Sequence, residues 1–552
     1  MASQDASNGP AEVVVFAGRV FSAERGPDAA PADSVAIRGG RIAAVGTRAD
    51  LRARVGPRTE VVDLPDATVL PGFQDAHVHP PSSGLELLQC NLHDVHAVDD
   101  YVAVVRDYAA AHPDRPWVLG GGWSLDSFPG GIARRSLLDA VVPDRPAYLP
   151  NRDYHGAWVN SAALRAAGID RDTPDPPDGR IERDSDGEPS GTLHEGAMDM
   201  VGRHAPRTTP AEWEAGLLTA QAHLHSLGIT AWQDAWLRPE NLDTYLALAA
   251  DGRLTARVAG CLWWERDRGL EQVDDLVERR ARGRAARLRC DTVKVMQDGV
   301  CENFSAAMLE PYLGAEGRDA PAAGISFVEA EALKAAVSRL DSVGFQVHFH
   351  AIGDRAVREC LDAVEAARSA NGVRDARHHI AHIQLIHPDD VPRFAALDVV
   401  PNCQPYWACL DDQMRDLNVP FLGPERSRTQ YPFRSLVAAG ARLAMGSDWS
   451  VSTADPLAEI QVAMTRVPQD TPDREPFLPD ERLDLATCLE AFTLGSAYVN
   501  RLDDVTGTLE PGKFADLAVV DRDLFELVPN EVGDARCLLT MVEGEVVYRA
   551  AV

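Results

Sequence analysis

The sequence predicts an α/β protein. Its expected parts are a (β/α)8 TIM barrel, a small β-sandwich built from both chain ends, and an inserted lid or subdomain. Three observations carry this. Strand-like and helix-like segments alternate through the middle of the chain, as in parallel α/β architecture. The two ends share another texture, with Val- and Ile-rich runs broken by Gly, Pro and Asp. After the first of the middle strands comes a stretch far longer than an ordinary barrel loop.

In chain order, residues 1–10 are polar and read as a loose tail. Residues 11–70 form the N-terminal part of the sandwich, carried by VVVFAGRVF, DSVAIRGGRIAAVG and TEVVDLPDATVLPG. The barrel is expected over 71–495. Its eight strand candidates are 68–76, 228–234, 256–263, 291–297, 345–350, 378–383, 398–403 and 442–447, the number a closed barrel needs. Helix-period segments such as TPAEWEAGLLTAQAHLHSLG and EAEALKAAVSRLDSVG separate most of them. The insertion, about 81–207, holds two further strand-like pieces, PWVLGGGW and RPAYLPN, and a Pro- and Asp-rich stretch at 169–190. It is placed over the C-terminal mouth of the barrel. Residues 496–552 complete the sandwich, ending in a hairpin around Glu543 and Gly544.

A chain of 552 residues can bury several cores, and its 45% hydrophobic and 25% charged content is that of a soluble globular protein. The net charge of −30 argues against nucleic acid and anionic membrane as partners, because both attract basic surfaces. The N-terminus MASQDASNGPAEVVVF lacks the basic-then-apolar order of a signal peptide, and no apolar run approaches a membrane span. A cytoplasmic location is expected. The nine cysteines are odd in number and form no CxxC pair, which suits core filling in a reducing compartment. Cys403 and Cys409 have a spacing that fits no common metal site. A homodimer is the expected assembly, on base rates alone.

In such a barrel, catalytic groups sit at the C-terminal ends of the strands. The first strand ends in His77 and His79, which an extended backbone points to one face. Convergent neutral imidazoles suit a divalent metal, although an isolated HxH more often merely meets solvent. Lys294 stands between Val293 and Val295, sharing a face with Thr292 and Met296, so it can face the lumen. His350 ends the fifth strand, His382 lies in the sixth and Asp448 follows the eighth. Each has a bland reading singly; Lys294, for example, could be an ordinary snorkelling or salt-bridged lysine. Four histidines, an acid and a lysine at matching strand ends are improbable by chance.

The ordered motifs PGFQDAHVHP, GGGWS, YHGAWVNSAAL, GTLHEGA, VKVMQDG, VHFHAIGDRAV, IAHIQLIHP, GSDWSVSTADPL and GTLEPGKFADLAVVD span nearly the whole chain. Together they resemble the amidohydrolase superfamily of metal-dependent hydrolases, specifically its YtcJ-like branch, which includes N-substituted formamide deformylase. The resemblance implies a centre of one or two divalent ions, with zinc the expected metal. It implies that His77 and His79 bind the first ion and that His350 and His382 bind the second. It also implies that a carboxylated Lys294 bridges them and that Asp448 is both ligand and general base. An ammonium cannot ligate, whereas a lysine carbamate is an anion with two oxygens. A bound ion would bring the pKa of its water down to about 7, and Asp448 would relay the proton.

Other polar residues have weaker claims. His348 shares a face with His350, but the HAxGD arrangement of the family points to His350. His378 and His379 read as strand-start residues, and His387 as a loop or helix-cap neighbour. Asp298 and Asp354 could bond a ligand's second nitrogen or touch substrate, and Asp354 could equally cap a helix. Asp75 reads as a structural hydrogen-bond acceptor at least as well as a ligand. Trp123, Tyr154, His155, Asp298, Tyr406 and Trp407 are the candidate substrate contacts, with Trp449 beside them. Lid packing would explain the aromatics equally well. His155 is also a catalytic candidate, donating a hydrogen bond to a carbonyl oxygen. Arg152 and Arg355 could bind a carboxylate or simply be solvated.

The expected activity is hydrolysis of a C–N amide bond in an N-acyl or N-formyl small molecule. The same ligand set would serve cyclic amide hydrolysis, deamination, ester hydrolysis or decarboxylation. A non-catalytic regulator on the same barrel is the reading from another class. A glycoside hydrolase would need paired carboxylates at strand ends, and only Asp448 stands out.

Overall fold

The computed structural model describes residues 9–25, 31–314 and 322–551, so most of the expected tail lies outside the described residues. Eight parallel strands form the central sheet. They are β1 (Phe73–Val78), β2 (Ile229–Leu237), β3 (Arg257–Trp263), β4 (Leu288–Met296), β5 (Gln346–Ala351), β6 (His379–His382), β7 (Val400–Cys403) and β8 (Ala444–Met445). They run in chain order, each hydrogen-bonded to the next. All eight segments expected from sequence are present. The alternation along β5 shows why: Val347, Phe349 and Ala351 join the apolar core, while His348 and His350 point the other way, toward Lys294 and His382. The expected helix at TPAEWE spans Pro210–Ser226, started by Pro210 and a reciprocal cap between Thr209 and Glu212.

The sheet closes where β8 meets β1. The Asp448 N–H donates to the His77 carbonyl at 2.7 Å. Asp75 ties the same ends together. Its Oδ1 accepts from the His77 N–H at 2.9 Å and the Ser447 N–H at 3.1 Å, and its Oδ2 from the Ser447 hydroxyl at 2.5 Å. Asn402 of β7 donates to the Ala76 carbonyl at 2.8 Å. Gly446 permits this approach, since any Cβ there would strike the His77 N–H and the Asp75 carboxylate. Asp75 is thus a structural acceptor.

One detail of the first strand differs from expectation. Residues 68–71 end the long strand Glu60–Pro71 of another sheet, and the barrel strand starts only at Phe73. The break is at Gly72, packed so closely on Thr230 that a side chain has no room.

That other sheet has seven strands drawn from both chain ends. Leu517–Val520 pairs antiparallel with residues 68–71 and joins the C-terminal hairpin to the N-terminal strands. The sheet curls so that Ile42 and Ala515 bond across to Lys513 and Gly40, over a core including Val15, Ile37, Val69, Leu517 and Met541. The expected hairpin turn has Glu543 and Gly544 both at positive φ, 53° and 76°.

Within residues 81–207 lies a six-stranded sheet with its own apolar clusters. All nine cysteines are free and buried. Among the described residues, no helix is long and apolar enough to cross a membrane.

Replacing Asp75 with Ala leaves buried donors at the seam unpaired, at about 1–3 kcal/mol per unsatisfied group. Asp75→Ala is therefore expected to lower the thermal midpoint of the metal-free protein by several degrees, and the exposed Asp66→Ala to leave it in place. Equal midpoints for the two variants would contradict this account of closure.

Candidate metal centre

Asp448 sits among three imidazoles. Its Oδ1 lies 3.2 Å from His77 Nε2 and 2.9 Å from His79 Nε2, and its Oδ2 lies 3.9 Å from His382 Nδ1. His77, His382 and Asp448 each offer a ligand atom, all within 4.8 Å of one another, and all three residues are buried. Backbone geometry aims them there. His382, Ile383 and Asp448 adopt positive φ of 74°, 43° and 54°, a region non-glycine residues seldom occupy outside sites that hold them.

The two histidines of β5 occupy two levels. His348 is level with Lys294 in the sheet register, and its Nε2 lies 3.3 Å from Lys294 Nζ and 2.9 Å from His77 Nδ1. Lys294 Nζ lies 3.5 Å from His77 Nδ1. His350 is level with Met296, with its ring centroid 4.3 Å from that of His382 and its Nδ1 3.4 Å from Asp298 Oδ1. Below them His379 bonds Gln233 Oε1 at 2.7 Å, while His378 accepts the Val347 N–H at 3.0 Å. His387 caps a short helix by accepting the Asp389 N–H.

Burial sets the electrostatics. It depresses the pKa of His77, His348, His350 and His382 well below the usual histidine value, with Lys294 and neighbouring imidazoles adding to the effect. It brings Lys294 down to about 7. Neutral imidazole is the ligating form, and a neutral amine is the form that can be carboxylated. Several ring nitrogens are also stranded. Among the described residues, His382 has no hydrogen-bond partner on either nitrogen, His79 Nδ1 has none, and His350 Nδ1 has only the long 3.4 Å approach to Asp298. Stranded buried polar atoms are costly and rare. Imidazole nitrogens beside a carboxylate are the donor set of a divalent cation, so these residues fit the ion the sequence implies.

Of the expected substrate contacts, Tyr406 and Trp407 line a cavity of about 890 Å³, together with Trp449 and Arg152. Trp407 also stacks on His382, centroids 5.3 Å apart and planes 16° apart, so it borders both cavity and centre. Tyr154 is half-buried beside Trp236, its hydroxyl 3.2 Å from Ser450 Oγ. His155 comes from the insertion, and its ring lies 5.4 Å from that of His350.

Two expected contacts are elsewhere. Trp123 is fully buried in the insertion's core against Phe128 and Trp158, with its indole N–H donated to the Leu149 carbonyl at 2.8 Å. Asp298 is fully enclosed, accepting from the N–H groups of Ile352, Gly353 and Ala307, and meets the centre through His350. Burial pushes its carboxyl up to about 8. Sequence reasoning also missed two neighbours. Trp236 places its ring 6.3 Å from His79. Glu195 holds His155 Nδ1 at 2.8 Å, and its sequence signal was the acid inside GTLHEGA.

A closed α/β barrel with neutral imidazoles, a buried lysine and a carboxylate at its C-terminal strand ends defines the class, a metal-dependent hydrolase. The profile described as the Amidohydrolase family matches residues 60–548, and the chain belongs to that family. It is 33% identical to the protein LONG AFTER FAR-RED 3 of Arabidopsis thaliana, covering 98% of this chain and 92% of that one. It is 28% identical to the putative amidohydrolase YtcJ of Bacillus subtilis (strain 168), covering 94% and 96%. It is 27% identical to the N-substituted formamide deformylase of Arthrobacter pascens, covering 94% and 95%. Among solved structures, an uncharacterized metal-dependent hydrolase from Pyrococcus furiosus superposes with a TM-score of 0.69 at 26% identity, covering 93% of this chain and 99% of that one.

The Lys294 shift has a consequence for stability. Its amine is protonated up to about pH 10.5 when unfolded but only up to about 7 when folded, so between these values the unfolded chain binds more protons. Stability of the metal-free protein then rises with pH across that window and is lost as pH falls toward 7. Urea unfolding of wild type and Lys294→Met across this range checks it. The variant is expected to lose this part of the slope, and an identical slope in both would contradict the assignment.

Proposed function

We propose that this protein hydrolyses the C–N amide bond of an N-acyl or N-formyl small molecule. The observation that carries the reading is Asp448 held against His77, His79 and His382, with Lys294 and His350 beside them. The likeness to a relative named as an N-substituted formamide deformylase supports the choice of bond. His77, His79, Lys294, His350, His382 and Asp448 would hold one or two divalent ions, with zinc the metal proposed and Lys294 carboxylated. When bound, such an ion supplies Lewis-acid polarisation of the carbonyl and acidifies water. Asp448 takes the proton of the attacking water and returns it to the leaving nitrogen. His155 Nε2 donates a hydrogen bond to the carbonyl oxygen as negative charge develops on it. Trp407, Tyr406 and Tyr154 give the substrate's apolar portion a wall and exclude water.

A screen of N-acyl amines, N-acyl amino acids and formamides, read as released amine, tests the activity. Asp448→Asn is expected to retain metal while kcat falls on the order of 10²- to 10⁴-fold. Turnover near that of wild type in this variant would sink the assignment of the base.

A further inference from the structure

A buried hydrogen-bonded cluster joins residues 81–207 to the loop beside the candidate metal centre. His155 precedes the strand Gly156–Val159, and Glu195 ends the strand Pro189–Glu195. A single oxygen, Glu195 Oε1, takes three side-chain donors: His155 Nδ1 at 2.8 Å, Ser305 Oγ at 2.7 Å and Asn303 Nδ2 at 3.0 Å. Asn303 Nδ2 also donates to the His155 carbonyl at 3.2 Å, and Ser305 contacts Asn303 Oδ1. All four residues are at most 9% exposed. Asn303 and Ser305 belong to the loop after β4, so the cluster joins the insertion to the same loop that carries Asp298.

The backbone is shaped for this contact. Gly299 lies where any Cβ would strike Glu195 Oε1 and Ser305 Oγ. Tyr154, Glu195 and Phe304 adopt φ of 62°, 51° and 67°. Such conformations are unfavourable for non-glycine residues and persist where the surroundings hold them. A staple between insertion and barrel could be built from neutral groups, and a buried carboxylate is an expensive way to make one. The orientation of His155 offers a reason for it. Nδ1 is committed to Glu195, while Nε2 has no protein partner among the described residues and the ring faces His350, centroids 5.4 Å apart.

We propose that Glu195 is a positioning residue for the hydrolysis: its carboxylate pairs with a doubly protonated His155, holding Nδ1–H on Oε1 so that Nε2–H is the donor that meets the reacting carbonyl. Asn303 and Ser305 aim that oxygen. This rests on the amide-hydrolase reading above. A carboxylate that holds one nitrogen of an imidazole fixes the angle at which the ring presents the other.

The test uses the zinc-loaded full chain. Glu195→Gln keeps the side chain's size and an acceptor oxygen but removes the charge. It is expected to lower kcat on the order of 10- to 100-fold. KM should stay within about two-fold, since only transition-state contact is weakened, and metal content should be unchanged. Ser305→Ala is expected to lower kcat by a smaller factor. A downfield proton resonance from His155 Nδ1–H, identified by its loss in His155→Gln, should be present in wild type and lost or shifted in Glu195→Gln. Wild-type kcat in Glu195→Gln, or a loss of kcat that only follows loss of metal, overturns the proposal. If the wild type released no amine from any substrate, the hydrolase reading would fail and this role with it. The resonance would still report, independently of turnover, whether Glu195 holds the His155 proton.

Discussion

The seam between β1 and β8 is the constraint on which the centre depends. A barrel has no edge only if its last strand finds its first, and here the last strand is two residues long. The closure rests on the Asp448 N–H, the Asp75 carboxylate and the absence of a side chain at Gly446. These contacts also bring the Asp448 carboxylate to His77 and His79 from the opposite side of the join. The same contacts therefore close the barrel and assemble the site.

Burial does the second part of the work. Charged imidazoles crowded at ring separations of 4.3 to 5.2 Å would repel one another in a medium that screens poorly. Desolvation keeps most of them neutral and lowers the Lys294 amine to about 7, so that a large share of it is uncharged near neutral pH. What remains is a set of lone pairs facing one carboxylate, with neither His382 nitrogen hydrogen-bonded among the described residues. The centre is costly for the chain alone, and a bound divalent ion would relieve that cost. The insertion adds His155 at the rim, held by Glu195, and Trp407 covers the face of His382.

Much of this was legible in the sequence because its signals are periodic. Alternation with period two counted the strands and put Lys294 on the face of Thr292 and Met296, and the structure buries it among histidines. The same periodicity could not separate His348 from His350, since both must face the lumen; only the sheet register sets them at two levels. The misses have a common cause. Trp123 looked like a pocket wall because its true partner Trp158 lies 35 residues on and across a sheet. Asp298 looked available to substrate because the N–H groups that enclose it come from Ala307, Ile352 and Gly353, while its other expected role, beside a ligand's second nitrogen, agrees with its place next to His350 Nδ1. Glu195 went unnoticed because its partners are 40 to 110 residues away. Contacts between distant loops leave no local pattern.

Cobalt(II) uptake by the metal-stripped protein tests most directly whether the buried histidines and Asp448 form a metal centre. Wild type should take up about one to two equivalents saturably, with visible absorption of a low-coordinate nitrogen and oxygen site, and His382→Ala should bind less or lose the band. Absence of saturable uptake in wild type, or equal uptake and equal spectra in the two proteins, would contradict the assignment.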